Sequence, residues 1–357
     1  MHNIWSMLSN KLMMGAAVFF TLGGMGISNL GPLPQTPTPA PVEVFQASST
    51  PTLIDTIQPG GPPLSLTTAL PAISTPVPAN SPASTDKRPT VPIKGPTPTP
   101  MSVSLNTVKI YFFSVGLGDS FLIIGPDGKT MLIDGGPADS GIVDHLRAVG
   151  IKKIDVMVAT HPHQDHVGGL AKVLGAFPVK KLYTNGETKW DEPAYVDFRA
   201  AVTAAKVKST RLVRGNKISL GALSFQVLNP IRSLPGNINE NAMVLRFTYQ
   251  KTTVIFMSDV DQDTEGQILA AKLPVKADIY KIGHHGDSTS SSVKFIKAVS
   301  PSTAIYSCGP NPFGLPEQVT LNRFTNLGIK LYGTDRNGSI LVTIDPNGYK
   351  IDTDIPQ

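Results

Sequence analysis

The stretch Thr160-His161-Pro162-His163-Gln164-Asp165-His166 places four potential metal ligands within six residues. The chain holds seven histidines in 357 residues, and five of them fall in two tight groups, this one and His284–His285. Each group directly follows a short apolar run, IDVMVAT in the first case and ADIYKIG in the second. A strand end is a rigid base, and the tight turn after it lets alternate side chains converge. His161 and His163 are two apart and can point to one side, while Asp165 and His166 open the next segment and can reach a neighbouring position. Neutral imidazoles and a carboxylate–imidazole pair suit zinc or a related divalent ion. The glycines that follow, Gly168 and Gly169, let a helix N-terminus approach closely and aim its positive end at an anion. Two more carboxylates close apolar runs, Asp134 in TMLID and Asp259 in VIFMSD. Their plain alternatives are a turn carboxylate for Asp134 and a helix N-cap for Asp259. His145 stands by itself on a helical stretch and reads as structural.

The elements that must hold these residues begin at Val108. VKIYFFSVG, SFLIIGPDG and TMLIDGG read as strands, the last two joined as a hairpin by the turn Pro126–Gly128. Ile142–Val149 reads as a helix stopped by Gly150. The buried strand IDVMVAT precedes a single helix, VGGLAKVLGAF. KKLYTN is a strand and VDFRAAVTAAK a helix. KISLGALSFQVLNP, NAMVLRFTYQ and TTVIFMSDV are strands, followed by the helix TEGQILAAKL. ADIYKIG and STAIYSCG are strands separated by the helix SSVKFIKAV. The helix VTLNRFTNLG and the closing strands KLYGTD and GSILVTID end the series. Strands come in two batches with helices between and around them, which predicts two sheets packed face to face with helices outside.

These motifs carry a resemblance. The H-x-H-x-D-H signature after a buried strand is similar to that of the metallo-β-lactamase fold superfamily. FSVGLGDSFLIIGPDGKTMLIDGG, ATHPHQDHVGGL, NENAMVLRF, VIFMSDV, YKIGHHGDSTSS and YGTDRNGSI occur in the order found in the C-terminal hydrolase domain of ComEC-like competence proteins, over about residues 105–345. The resemblance implies an α/β (α+β) fold, a four-layer αββα sandwich with two divalent metal ions at one edge of the sheets. Zinc is the expected metal, manganese the alternative. By motif position His161 and His163 would hold the first ion. Asp165, His166 and one of the pair His284–His285 would hold the second, with His285 favoured, and Asp259 would bridge both. His284 would then contact the substrate phosphate or donate a proton, and Asp165 would share the catalytic role. Asp134 and Asn241 would support the ligands by hydrogen bonds. Three positions depart from the family pattern. Asn239 and Asn241 stand where many members supply a third histidine to the first ion. Gly314-Leu315-Pro316 replaces a Gly-His-Pro, and Ser258 replaces the glycine before the bridging carboxylate.

Two close ions lower the pKa of water and clamp phosphoryl oxygens, which points to phosphodiester hydrolysis. The sequence offers no Ser-His-Asp or cysteine nucleophile motif. Gly116-x-Gly118-Asp119-Ser120 lacks the third glycine of a dinucleotide fingerprint and is followed by a strand, so it reads as a turn beside the metal site. One cysteine, Cys308, excludes an intramolecular disulfide framework and a cysteine-based zinc cluster. The net charge of +5 is compatible with an anionic phosphodiester, DNA included. Basic residues recur from Lys172 to Lys217 and could track a polyanion, although a solvated surface explains them more simply. No protein partner is predicted. The alternatives to a nuclease-like phosphodiesterase are an esterase of small, phosphocholine-type phosphodiesters and a degenerate metal domain that binds nucleic acid without cutting it.

Eighteen of the 32 prolines lie between Pro32 and Pro100, so residues 31–102 read as an extended Pro/Thr/Ser-rich linker. Residues 1–30 read as a signal peptide or an N-terminal anchor with its apolar run at Leu12–Ile27, the one expected contact with a membrane. The hydrolase domain is then 103–357, secreted or otherwise extracytoplasmic.

Overall fold

The computed structural model describes residues 106–234 and 236–356. The targeting segment at 1–30 and the whole linker at 31–102 thus lie outside the described residues. The strands are β1 (Val108–Phe112), β2 (Phe121–Ile124), β3 (Thr130–Ile133), β4 (Val156–Ala159), β5 (Leu182–Thr184) and β6 (Ser209–Arg211), then β7 (Lys217–Leu220), β8 (Leu223–Asn229), β9 (Val244–Tyr249), β10 (Thr252–Phe256), β11 (Ile279–Lys281), β12 (Thr303–Tyr306) and β13 (Lys330–Gly333), and last β14 (Ile340–Asp345) and β15 (Gly348–Thr353). They form an eight-stranded sheet in the order β15-β14-β1-β2-β3-β4-β5-β6 and a seven-stranded sheet in the order β13-β12-β11-β10-β9-β8-β7. The helices are α1 (Ile142–Ala148), α2 (Gln164–Val167), α3 (Leu170–Ala176), α4 (Pro193–Ala204), α5 (Gln262–Ala270), α6 (Val293–Val299), α7 (Gln318–Thr325) and α8 (Thr334–Asn337).

The period-2 rule of a strand sorts the apolar residues into three cores. Val108, Ile110 and Phe112 of β1, Phe121 and Ile123 of β2, and Val254 and Phe256 of β10 meet between the sheets. Leu122, Leu132 and Met157 point the other way, onto α1, α3 and α4 through Leu146, Leu170 and Phe198. Ile255, Tyr280 and Tyr306 leave the second sheet on its outer face, against Ile268, Phe295 and Phe324 of α5, α6 and α7. The result is the αββα sandwich. Strands covered on both faces read as unbroken apolar runs, as in β2, β4 and β10. The inter-sheet core is tied by aromatic rings, with Phe256 5.5 Å from Phe121 and 6.1 Å from Phe112.

Strands β3 to β6 run parallel, as do β10 to β13. Loops leaving the C-terminal ends of such strands are where ligands bind in open α/β sheets. Both histidine groups and Asp259 leave the sheets from these ends, after β4, β10 and β11.

Several local expectations need correction. The single helix over VGGLAKVLGAF is two short helices, α2 and α3, separated at Gly168–Gly169. The backbone there packs against the loop after β3, and Gly169 N–H donates to the Gly136 carbonyl at 2.9 Å. A Cβ on Gly169 would lie 2.1 Å from the Gly135 carbonyl oxygen. The strands β6 and β15 were not anticipated. For β15 the signal was present in the turn Pro346-Asn347-Gly348, which closes the antiparallel pair β14–β15.

The glycine contact yields a paired test. Gly169→Ala forces the loops after β3 and β4 apart and should cost about 1–3 kcal/mol or more, read by urea unfolding. Gly175→Ala, on the same side of the sheet but in α3 with open space around its Cβ position, should be neutral or stabilise by up to about 1 kcal/mol.

Candidate metal centre

The histidine loop is fixed from below by Asp134, a buried carboxylate just past β3 with a left-handed backbone, φ 57°. Its Oδ1 accepts from Thr160 N–H at 2.8 Å, and its Oδ2 accepts from the Thr160 hydroxyl at 2.7 Å. Oδ2 also lies 2.9 Å from His166 Nδ1. Since the Thr160 hydroxyl donates to Asp134, its oxygen accepts from His161 Nδ1 at 3.1 Å and from Ser258 Oγ at 2.9 Å. His285 Nδ1 faces the Ser307 carbonyl at 3.1 Å. In all three rings the bonded nitrogen is Nδ1, which turns Nε2 inward as the free donor atom. Such outer contacts set tautomer and ring orientation in metal sites.

The inward atoms converge on Asp259, buried just past β10. Its Oδ2 lies 3.1 Å from His166 Nε2, 3.6 Å from His161 Nε2, 3.6 Å from His285 Nε2 and 3.9 Å from His284 Nε2. His161 Nε2 is 3.2 Å from His163 Nδ1. Asp165 Oδ2 is 3.0 Å from His285 Nε2 and 3.7 Å from His166 Nε2. Two donor groups result, His161–His163–Asp259 and Asp165–His166–Asp259–His285, each with its ligand atoms within 4.8 Å of one another. Asp259 belongs to both. His166 Nε2, His285 Nε2 and Asp259 Oδ1 are buried without a hydrogen-bond partner. Ring nitrogens and carboxylate oxygens buried around a common point are costly unless protons or a cation stand between them, so the donor set fits divalent metal.

The groups differ in charge. Burial, reinforced by repulsion from His166, holds the His161 imidazole well below its ordinary range, and burial lowers His163 too. Burial also opposes charge on His166 and His285, yet the carboxylates outweigh it. Asp259 and Asp165 hold His166 well above the imidazole range, and Asp259 and Asp165 push His285 up to about 10. In turn, against the effect of burial, His166 and His285 keep Asp259 and Asp165 ionised far below the carboxylate range.

Of the expected residues, His161, His163, Asp165, His166, Asp259 and His285 come together, with Asp134 beneath them. His284 stands at the edge, its side chain 27% exposed. Asn239 rather than Asn241 faces it, with its amide nitrogen 3.4 Å from His284 Nε2. Asn241 is buried in the 3-10 turn Asn239–Asn241, where its backbone carbonyl accepts from Asn185. The helix that follows Asp259 is capped by Asp261, which accepts from Thr264 N–H at 2.8 Å, leaving Asp259 free for the centre. Ser258 adopts φ 48°, the conformation a glycine would take without strain, and its hydroxyl bonds Thr160. His145 stacks on Phe113 at 5.2 Å, a structural role.

A cleft of about 400 Å³ opens over the centre, lined by His163, Asp165, Asp259, His284, His285, Glu192, Asp287, Phe313 and Leu315 among others. Leu315 thus stands in the wall where the family pattern has a histidine. Sequence reasoning missed Trp190, whose ring lies 5.5 Å from His163, and Phe313, 71% exposed at the mouth. The turn that holds Asp119 does lie beside the centre, as expected, but Lys281, its partner behind His285, was missed. The sequence signal for Lys281 is a charge inside the apolar run ADIYKIG, which has to find a buried partner.

The metallo-beta-lactamase superfamily profile matches residues 114–309, more than half of the chain. ComE operon protein 3 of Bacillus subtilis (strain 168) is 28% identical over 252 residues, 65% of this chain and 32% of that protein. Competence protein ComA of Neisseria gonorrhoeae is 28% identical over 257 residues, 70% of this chain and 34% of that protein. The chain therefore spans about a third of the length of these curated relatives. Among solved structures, a diphosphatase of the PhnP family superposes with a TM-score of 0.43 at 20% identity, over 67% of this chain and 98% of that one. On the profile match over residues 114–309, the competence-protein relatives and the ordered run of motifs, the chain belongs to the metallo-β-lactamase superfamily, as a ComEC-like member.

Proposed function

We propose that the protein is a metal-dependent phosphodiesterase, nuclease-like in its chemistry, working outside the cytoplasm. The observation that carries this reading is the shared carboxylate of Asp259, which lies between two donor groups. His161, His163 and Asp259 would hold one divalent ion, and Asp165, His166, Asp259 and His285 the other, with zinc the expected metal and manganese the alternative. Bound there, the ions would supply Lewis acidity toward water and toward phosphoryl oxygens. The chain does the rest. Asp165, 24% exposed and ionised, reaches from the donor group into the cleft and orients the attacking water. His284, facing the cleft beside Asp259, contacts the phosphate and hands a proton to the leaving oxygen, a role typically worth 10²–10⁴-fold. Two of the relatives bear competence-operon or competence-protein names, and a DNA substrate handled outside the cytoplasm is our reading of that kinship. No helix among the described residues is long and apolar enough to cross a membrane.

A second reading has its own observation. No lysine or arginine is among the described residues lining the cleft, whereas Glu192 and Asp287 are. Of the basic stretch, Arg211 closes β6 at the end that carries the ligands, but Lys181 and Lys208 are exposed at the starts of β5 and β6, opposite to it. This favours a small phosphodiester over a long polyanion.

Three outcomes are expected. The chain should bind two divalent ions, and His163→Ala should lower turnover of bis-p-nitrophenyl phosphate more than 100-fold with its far-UV circular dichroism unchanged. Full activity in that variant would refute the assignment. Cleavage of single- or double-stranded DNA against cleavage of p-nitrophenyl phosphocholine separates the two substrate readings, and DNA binding without turnover under any metal would mark a non-catalytic domain. Protonation should differ between the two ions. His161 and His163 are neutral near pH 7, so the first ion should load with little proton release. His166 and His285 carry protons there, so the second should expel them and bind more tightly as pH rises toward about 10. Without metal the sign reverses. His285, raised from 6.5 to about 10, adds stability that is complete below 6.5 and lost as pH rises through 10. Calorimetry in buffers of different ionisation enthalpy reads the first effect, and urea midpoints against pH read the second.

A further inference from the structure

Behind His285 lies an ion pair that the proposed chemistry does not use. Lys281 ends β11 in the seven-stranded sheet, and Asp119 sits in the loop before β2 in the eight-stranded sheet, 162 residues away. Both side chains are fully buried. Lys281 Nζ lies 2.8 and 3.0 Å from the two oxygens of Asp119, donates to the Ile282 carbonyl at 2.9 Å, and lies 5.4 Å from the centre of the Phe121 ring.

Stability is a poor explanation for such a pair. Removing two charges from water costs several kcal/mol per ion, and apolar replacements of similar volume are often as stable or more so. The surroundings of Asp119 suggest another role. Its Oδ1 lies 3.6 Å from His285 Nδ1. Its backbone N–H donates to the Asp165 carbonyl at 3.1 Å, and its own carbonyl accepts from Gly136 N–H at 2.9 Å. The preceding Gly118, at φ 144°, presses so closely on this loop that a Cβ would lie 2.3 Å from the Asp165 carbonyl oxygen. One short segment therefore touches Asp165 and His285, two of the three residues that belong to one donor group and not to the other.

We infer that the Lys281–Asp119 pair is a positioning device for the donor group Asp165–His166–Asp259–His285, an inference that rests on the two-ion reading above. Held by Lys281, the Asp119 carboxylate cannot turn to His285 Nδ1. That nitrogen keeps its bond to the Ser307 carbonyl, and Nε2 stays aimed at Asp259 and Asp165. Lys281 also cancels the charge of Asp119, so the carboxylate braces the ring without adding to the negative charge of the ligand set. The pair reaches His161 and His163 through none of these contacts, so its effect falls on one ion alone.

The test is zinc titration of the full chain by calorimetry, with metal content measured after dialysis. Wild-type protein is titrated first, and uptake of fewer than two ions overturns the two-ion reading itself. Lys281→Met and the double variant Lys281→Met/Asp119→Asn are then compared. We expect the affinity for one ion to fall about 10–100-fold in both variants, the usual effect of losing an outer-shell partner, with the other ion unchanged. The double variant, which leaves no lone buried charge, should keep a melting temperature close to wild type, so that lost affinity there is not lost folding. If Lys281→Met alone does not fold, Asp119→Asn, equal in size to the native residue, gives the same comparison. Wild-type affinity for both ions in a folded double variant, or equal weakening of both, overturns the inference. Turnover plays no part in the readout, so a chain that takes up two ions and hydrolyses nothing would sink the proposed activity and leave this inference standing.

Discussion

One carboxylate oxygen, Asp259 Oδ2, has four imidazole nitrogens within 3.9 Å. None of the groups involved would tolerate burial alone. An isolated carboxylate or imidazolium in the interior is expensive, and each charge is acceptable only because opposite charges stand beside it. The geometry of the whole edge answers to this constraint. β10 delivers Asp259, β4 delivers the first histidine loop, and β11 delivers His284 and His285. Because these come from both sheets, the inter-sheet core of Phe112, Phe121, Phe247 and Phe256 sets the distance between ligands.

A second layer keeps the atoms aimed. Asp134 binds Thr160 twice and His166 once, and Thr160 in turn meets His161 and Ser258. Ser258 thus serves the site in a way a glycine could not, although the backbone there favours glycine. The serine adds a hydroxyl contact to Thr160 and leaves the carboxylate that follows it in place.

Much of this was legible in the sequence because it is local. Histidines spaced by two beyond an apolar run, carboxylates at strand ends and glycines after the cluster all have short-range meaning, and apolar runs broken by turns pointed to the two sheets. Residues that act across the fold were hidden. Nothing near Asp119 says that its partner is Lys281, and Trp190 and Phe313 reach the cleft from loops whose path depends on the finished sandwich. Short elements were also missed where pattern is weakest. β6 has three residues, all exposed, and its place is set by pairing with β5 rather than by apolar content. The split between α2 and α3 falls where Gly168 and Gly169 pack so closely on the loop after β3 that a Cβ would not fit, a long-range contact that periodicity cannot register.

The ligands are contributed by segments spread from His161 through Asp259 to His285, and from both halves of the sandwich. Neither half can assemble the cage alone. A nascent chain must therefore complete both sheets and dock them before any ion finds a full set of donors, which makes ion capture a late event in maturation. An ion captured there would be held by residues of both layers and would act as a rivet, to be released before the sandwich could open.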